Sequence, residues 1–431
     1  MKKIIVAGAG HGGLVAAFKL AENGFDVTVI EAKTREETGW DWDDCIWYPI
    51  LEQAGITADD EKYVDDFYYY TYYSPSKSVG LTVDESDIST LRLIDRRYLL
   101  KVLFEKCESA GVRLIFGEKI ISALSDGKRV TGIKTEKGDY YGDLVIDAAG
   151  LDSPVRKSLP QVSGVLKELP EDKMIWTYRA YFENCGDFDR ENPLRAIYFF
   201  HNNRPGMDWA VTFENYTDIL IGSFSPLSDE EISEALTDFR ADYPYIGEKL
   251  LRGGTVQKIP LGLSIPKFVW NGYAAVGDCA SMIEPMSGSG MTKSILAGKI
   301  LAETVIDITD AEYTEKNLWK YEYEYMIKSG NSSMNDCILR DYMATLKGSD
   351  IDWFFEHKLI TEAELRYKGL KIKNPLDALR KLMAFIPESK LLPSLAQVGK
   401  KVSSAKTAVA VMPEEYDRFS YEYWRKIYAN I

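Results

Sequence analysis

Cysteine pairs, histidine clusters, long apolar runs and a surplus of positive charge are all missing from this 431-residue chain. The five cysteines, at positions 45, 107, 185, 279 and 337, contain no C-x-x-C pair. That excludes a disulfide framework or a zinc knuckle and suits a reducing compartment. His11, His201 and His357 are far apart in the sequence, so no metal site is expected from them. No run of eighteen apolar residues occurs, so no segment is expected to span a bilayer. Acidic residues outnumber basic ones by 66 to 52, a net charge of −14, which argues against a nucleic-acid partner because phosphate binding needs a basic field. The first apolar run starts at the amino terminus, without the pattern of a signal peptide, and a cytoplasmic location is expected.

What is present is a dense motif at the start. Ile4-Ile5-Val6-Ala7 reads as a buried parallel strand. Gly8-Ala9-Gly10-His11-Gly12-Gly13 follows, then a helical pattern from Leu14 to Glu22, a stop at Asn23-Gly24 and a second strand from Phe25 to Ile30. Glu31 stands at the end of that strand, with Ala32 beside it. Strand, G-x-G-x-x-G, helix, strand and acid within one βαβ unit form a dinucleotide-binding fingerprint. Gly8 allows the tight turn, Gly10 lets backbone approach a pyrophosphate, and Gly13 lets the helix pack on the strand. The helix N-terminus offers free N–H groups to phosphate, and Glu31 is placed to accept from ribose hydroxyls.

The first domain is interrupted. Residues 63–94 and 174–226 are rich in Tyr, Phe, Thr and Val with strand alternation, and read as antiparallel sheet. Between them, Asp95 caps a helix that begins at Arg96, and Leu144 to Gly150 is another buried strand ending in glycine. Tyr273 to Asp278 is a third, and Pro285-Met286-Ser287-Gly288-Ser289-Gly290-Met291 then leads into a helix. The expected division is a nucleotide-binding domain over 1–62, 95–165 and 255–310, a sheet domain over 63–94 and 166–254, and a helical region over 311–431. Residues 368–406 hold nine basic residues against two acidic ones. They are either a solvated helical face or a basic amphipathic segment in peripheral contact with an anionic membrane.

Three separated signatures resemble the FAD-dependent family that contains para-hydroxybenzoate hydroxylase, the flavin halogenases and the geranylgeranyl reductases. They are Gly8/Gly10/Gly13 with Glu31, the strand ending at Gly150 and continuing through Ser153 and Arg156, and Gly277-Asp278 with Pro285-x-x-Gly288-x-Gly290. The resemblance covers roughly residues 1–310. It implies an α/β fold in which a Rossmann-type FAD domain carries an inserted antiparallel substrate sheet. It implies that the glycine loop with His11 and Gly12, together with Glu31, Ala32, Arg96, Gly150 and Gly277, lies on the cofactor. Asp278 would bind the ribityl chain, and Pro285, Gly288, Ser289, Gly290 and Met291 would lie near the pyrimidine end of the flavin. Asp147-Ala-Ala-Gly150 departs from the Asp-Gly of the hydroxylases, and the halogenase W-x-W-x-I-P signature is absent. Pro205-Gly206-Met207-Asp208-Trp209 and Gly39 to Cys45 are similar to stretches of the geranylgeranyl reductases.

The expected activity is therefore that of an FAD-dependent oxidoreductase, a reductase delivering hydride from reduced flavin to a C=C bond of a hydrophobic substrate. A flavin monooxygenase acting on an aromatic ring and a flavin-binding protein without turnover are the alternatives. The electron donor is left open between NAD(P)H and a reduced flavin or ferredoxin partner. Cys45 is a candidate proton donor and equally a packing residue. Trp42, Trp47, Tyr198 and Trp209 are candidates for the substrate pocket, because aromatic rings beside polar anchors make such walls.

Overall fold

Strand β1 (Lys3–Ala7), helix α1 (His11–Glu22) and strand β2 (Asp26–Ile30) form the expected βαβ unit, with Val6 opposite Val29 in a parallel ladder. The computed structural model describes residues 1–59, 63–66, 69–84, 90–308, 312–365 and 392–431. After β2 come β3 (Asp43–Trp47), α2 (Pro49–Ala54), β4 (Tyr63–Asp66), β5 (Tyr69–Tyr73), β6 (Gly80–Asp84) and β7 (Leu91–Asp95). Helix α3 (Arg96–Ser109) is capped as expected, the Asp95 carboxylate accepting from the Tyr98 amide at 2.7 Å.

The nucleotide-type sheet is completed by distant segments. β8 (Arg113–Ile115) lies parallel to β2. β9 (Ile120–Ser125), β10 (Val130–Thr135) and β11 (Asp139–Tyr141) make a small antiparallel sheet, and β12 (Leu144–Asp147) returns parallel to the other side of β1. Helix α4 (Pro154–Ser158) follows. The covering sheet comes next: β13 (Met174–Asn184), β14 (Arg195–Phe199), β15 (Met207–Thr212), β16 (Tyr216–Ser223), helix α5 (Asp229–Asp242) and β17 (Ile246–Pro260). The chain then returns through β18 (Val269–Trp270) and β19 (Tyr273–Ala275), the latter parallel to β12, and enters α6 (Met291–Asp307). The six-stranded order is β18-β19-β12-β1-β2-β8 and the seven-stranded order is β17-β13-β16-β15-β14-β5-β6.

The 63–94 insertion divides between two sheets. β5 and β6 extend the covering sheet, whereas β4 and β7 pair with β3 in a separate three-stranded sheet. The β5–β14 pair is parallel rather than antiparallel. The two strands belong to remote segments with no tight turn between them to fix their direction.

Alternation decides what each face of the covering sheet does. On β13 the even positions Ala180 and Phe182 pack with Tyr198, Ile219 and Ile221 under Phe239 of α5. The odd positions Ile175, Thr177 and Arg179 face the other way, toward the nucleotide-type domain. Helices α7 (Glu315–Tyr325), α8 (Ser333–Met343) and α9 (Gly348–Glu356), with the helices Leu392–Val411 and Arg418–Tyr428, close the end of the molecule. Leu318, Trp319, Tyr421 and Trp424 join the core of the first domain, while Ile351, Phe354 and Phe355 pack on Phe199 and Phe200. No helix among the described residues is long and apolar enough to cross a membrane. Of the basic stretch, residues 368–391 lie outside the described residues, and Lys400, Lys401 and Lys406 sit on the helix Leu392–Val411.

Candidate active site

Two helix N-termini meet at the carboxyl ends of the parallel strands. α1 is entered from Gly10 and α6 from Gly290, and neither carries a side-chain cap, so, apart from the Gly12 amide, their first-turn N–H groups and positive dipole ends are left for another acceptor. Gly8 has a φ of +89°, and a Cβ there would stand 2.6 Å from the Ala148 carbonyl oxygen. A Cβ on Gly13 would meet Ala148 Cβ at 2.5 Å and Val6 Cγ1 at 3.1 Å, which is the close helix–strand contact read from the sequence. Gly12 serves a different purpose. Its amide donates to Ser294 Oγ at 3.1 Å and its absent side chain admits α6. The Gly12 amide is thus committed to α6.

Glu31 closes the turn from the end of β2. Its carboxylate accepts from the Ala9 amide at 2.8 Å and the Lys33 amide at 2.9 Å, with Ala32 exposed beside it. A carboxylate has about four lone-pair positions, so two acceptor sites remain for hydroxyl donors. Gly150 and Gly277, with φ of +81° and +76°, form the turns after β12 and β19. Asp278 follows Gly277. Its carboxyl makes no hydrogen bond to any described residue, and burial pushes its pKa up despite the nearby Arg96 charge. Asp278 is half-buried, and a carboxyl there without a protein donor is open to donors from a ligand. The Nε2 of His11 is likewise buried and unpartnered. Burial, aided by the Arg96 charge, pulls the imidazole down to about 3, so it stays neutral.

A cavity opens between this cradle and the inward face of the covering sheet. One wall is Trp40, Trp42 and Asp44, a second is Ile175, Thr177 and Arg179 of β13, and a third is Trp209 of β15 with Leu220 of β16. The floor is the Pro285–Gly288 turn, and Phe199, Phe200 and Phe224 add further rings. Trp40 and Trp42 meet edge to face at 4.6 Å between centroids. The Arg179 guanidinium lies 5.9 Å from the Trp42 ring and 5.1 Å from the Trp209 ring. It is held there by Asp218, with contacts of 2.9 and 2.5 Å, and by the Asp43 carbonyl. Arg252 ties the same loop down, donating to Asp41 at 3.0 Å, Asp43 at 2.9 Å and Asp95 at 2.6 Å. Arg96 pairs with Asp44 at 2.5 Å and lies 4.9 Å from the Trp40 ring. The acidic residues of this loop are therefore structural anchors for its tryptophans.

Trp42 and Trp209 line this cavity; Trp47 and Tyr198 do not. Trp47 lies an odd number of steps from Asp44 on β3, so its ring turns to the opposite face and packs on the core of the first domain, while its amide donates to Thr292 Oγ1 at 3.0 Å. Tyr198 neighbours the cavity residue Phe199 and therefore points to α5, stacked on Tyr73 at 5.0 Å and bonded to the Tyr243 hydroxyl at 2.6 Å. Cys45 is half-buried and does not line the cavity. Its carbonyl accepts from Ser289 Oγ at 2.8 Å, which braces the turn between Pro285 and Gly290. Met291 begins α6 as a buried core residue. His201 is buried between Asp208 and Asp238, away from the cavity. Arg340 and Met343 of α8 do line the cavity. They went unnoticed in the sequence because the region after residue 310 carries no motif.

Paired helix ends without side-chain caps, a carboxylate with open acceptor positions after β2 and a half-buried aspartate after β19 with no donor among the described residues define an FAD-dependent oxidoreductase, and the residues present fit that cofactor. Comparison with known proteins agrees. Residues 2–192 match the family model for pyridine nucleotide-disulphide oxidoreductases. The chain is 25% identical over 374 residues to digeranylgeranylglycerophospholipid reductase 1 of Methanococcoides burtonii, covering 81% of this chain and 85% of that protein. In fold it is similar to a geranylgeranyl bacteriochlorophyll reductase-like protein from Thermoplasma acidophilum, with a TM-score of 0.74, 18% identity and coverage of 92% and 99%. It is also similar to P. aeruginosa PqsL, solved with 2-aminobenzoylacetate, with a TM-score of 0.62, 18% identity and coverage of 82% and 99%.

Proposed function

We propose that the protein is a reductase that adds hydride from reduced FAD to a C=C bond of an apolar, lipid-like substrate held in the tryptophan-lined cavity. The observation that carries this reading is the position of that cavity, between the Pro285–Gly288 turn beside Asp278 and the apolar inward face of the covering sheet. Its relatives named as digeranylgeranylglycerophospholipid reductases support the same reaction class.

The chain's own contribution is positioning and exclusion. The glycine turn and the N-terminus of α1 would receive the pyrophosphate, the N-terminus of α6 the pyrimidine end of the flavin, Glu31 the adenosine ribose, and Asp278 the ribityl hydroxyls, which would supply the donors its carboxyl lacks. Bound there, FAD supplies the two-electron chemistry. Trp40, Trp42 and Trp209 remove water from around the unsaturated bond, and the Asp218–Arg179 pair keeps two of those rings in place. The second hydrogen would arrive as a proton from the protein or from solvent. Cys45 acts through its backbone, on the turn at Ser289.

The test uses FAD-loaded protein, reduced anaerobically and mixed with a geranylgeranyl-bearing glycerophospholipid, with the product analysed by mass. A gain of two hydrogens per reduced bond supports the reading. A product that instead gains oxygen, formed only on admission of air, would transfer the protein to the monooxygenases.

A further inference from the structure

We propose that Arg340 is the specificity residue of the cavity and selects substrates whose apolar unsaturated body ends in an oxyanion. The proposal rests on the reductase reading for what happens to such a substrate, though not for its binding.

Three charged side chains reach the cavity wall: Asp44, Arg179 and Arg340. Two are matched within the wall. Asp44 has Arg96 at 2.5 Å, and Arg179 has both oxygens of Asp218. Arg340 differs. Its side chain is 4% exposed, yet its Nε is buried with no partner among the described residues. Its Nη2 donates to the Leu261 carbonyl at 2.8 Å and lies 2.9 Å from Asp341. Its Nη1 has no hydrogen bond to any described residue and is not among the wholly enclosed orphaned atoms, so it stands open. Asp341 is shared with Lys173 at 2.5 Å and Lys401 at 4.0 Å. Even with Asp172, 3.4 Å from Lys173, the cations of this group outnumber its carboxylates three to two among the described residues.

A guanidinium placed at an otherwise aromatic wall, with donors uncommitted and positive charge in excess, is a receptor for a carboxylate or phosphate. Leaving it unanswered costs free energy that an anionic ligand recovers. The apolar body of the ligand then lies along Trp42, Trp209 and Phe224, with its charged end at α8. Lys401 belongs to the basic helix Leu392–Val411, so the charged end of the cavity is also the end covered by the carboxyl-terminal region.

The experiment is calorimetric titration of the FAD-loaded full chain with geranylgeranyl phosphate, geranylgeraniol and inorganic phosphate, repeated with Arg340→Met and Arg340→Lys. The intact protein is expected to bind the phosphate ester about ten- to a hundred-fold more tightly than the alcohol. Arg340→Met should close that gap while leaving geranylgeraniol within about two-fold of its original affinity, and Arg340→Lys should keep part of the gap. If Arg340→Met loses its flavin, Arg340→Gln, which keeps a donor for the Leu261 carbonyl, carries the same comparison. Equal affinity for ester and alcohol in the intact protein, or a gap that survives Arg340→Met, overturns the proposal. Binding of inorganic phosphate as tight as the ester overturns it too, since the apolar body would then contribute nothing. Ester binding that depends on Arg340 without reduction of any double bond would retain this proposal and remove the reductase reading.

Discussion

Gly12 and Gly298 meet where α1 crosses α6: a Cβ on Gly298 would stand 2.1 Å from the Gly12 carbonyl oxygen, and one on Gly12 would stand 2.4 Å from the Ser294 carbonyl oxygen. The crossing brings the two uncapped helix ends together, so the cradle depends on a contact between the first and the last segments of the nucleotide-type domain. Gly298→Val is expected to separate the helices, lower stability by about 2–3 kcal/mol and reduce flavin retention. Thermal unfolding and the flavin absorbance of the purified protein check both. Gly399→Ala, on a Gly with no atom within 4 Å of a built Cβ, is the control that should keep its flavin.

Arg156 is fully buried and donates to three carbonyls, those of Lys167, Leu151 and Cys279. It joins the turns that follow β12 and β19, with Ser153 and Asp147 bonded at 2.6 Å beside it. Arg156→Met leaves those acceptors unanswered and is expected to destabilise the protein on the order of 3 kcal/mol or more. Denaturant unfolding measures the loss. A Met variant as stable as the parent would show that these carbonyls find other donors.

Glu322 of α7 is buried and accepts from the Phe268 amide at 3.0 Å, leaving its other oxygen without a partner among the described residues. Burial is the main reason that its pKa rises to about 8, against 4.5 for an ordinary glutamate. The folded state therefore holds a proton that the unfolded chain releases. Its stabilising share is full below pH 4.5 and is lost as pH rises toward 8. Glu322→Gln should flatten that part of the stability–pH curve. An unchanged slope between those limits, measured by chemical denaturation across the pH series, would refute the assignment.

Tyr198 and Trp209 lie on paired strands yet face opposite ways. Tyr198→Phe removes the hydrogen bond to Tyr243 and should cost about 1 kcal/mol of stability with ligand affinity unchanged. Trp209→Ala should weaken binding of geranylgeranyl ligands and loosen Arg179, whose guanidinium it flanks. Calorimetric titration of both variants separates the two faces.

The contrast between these residues shows how much could be read from sequence alone. The βαβ unit, the cap at Asp95 and the turns at Gly8, Gly150 and Gly277 rest on local backbone requirements, and each appears where the pattern placed it. Strand alternation separates Tyr198 from Phe199, but it does not say which face α5 will cover. The Gly12–Gly298 contact, the Arg179–Asp218 pair and the entry of Arg340 into the cavity join residues remote in sequence. Their signals are a single glycine, a charge on an apolar strand and a charge on a helix, none of which is specific by itself. The carboxylates around Trp42 likewise answer Arg96 and Arg252, partners far from them in the chain.

The position of β12 has a consequence for how the chain is made. The first βαβ unit leaves the ribosome early, but the flank of β1 opposite β2 stays unpaired until Leu144–Asp147 arrives, and β12 in turn awaits Tyr273–Ala275. Such non-local pairing is slow to form and exposes strand edges meanwhile. Throughout translation of the covering sheet, the nascent protein therefore carries an unfinished parallel sheet with an open strand edge.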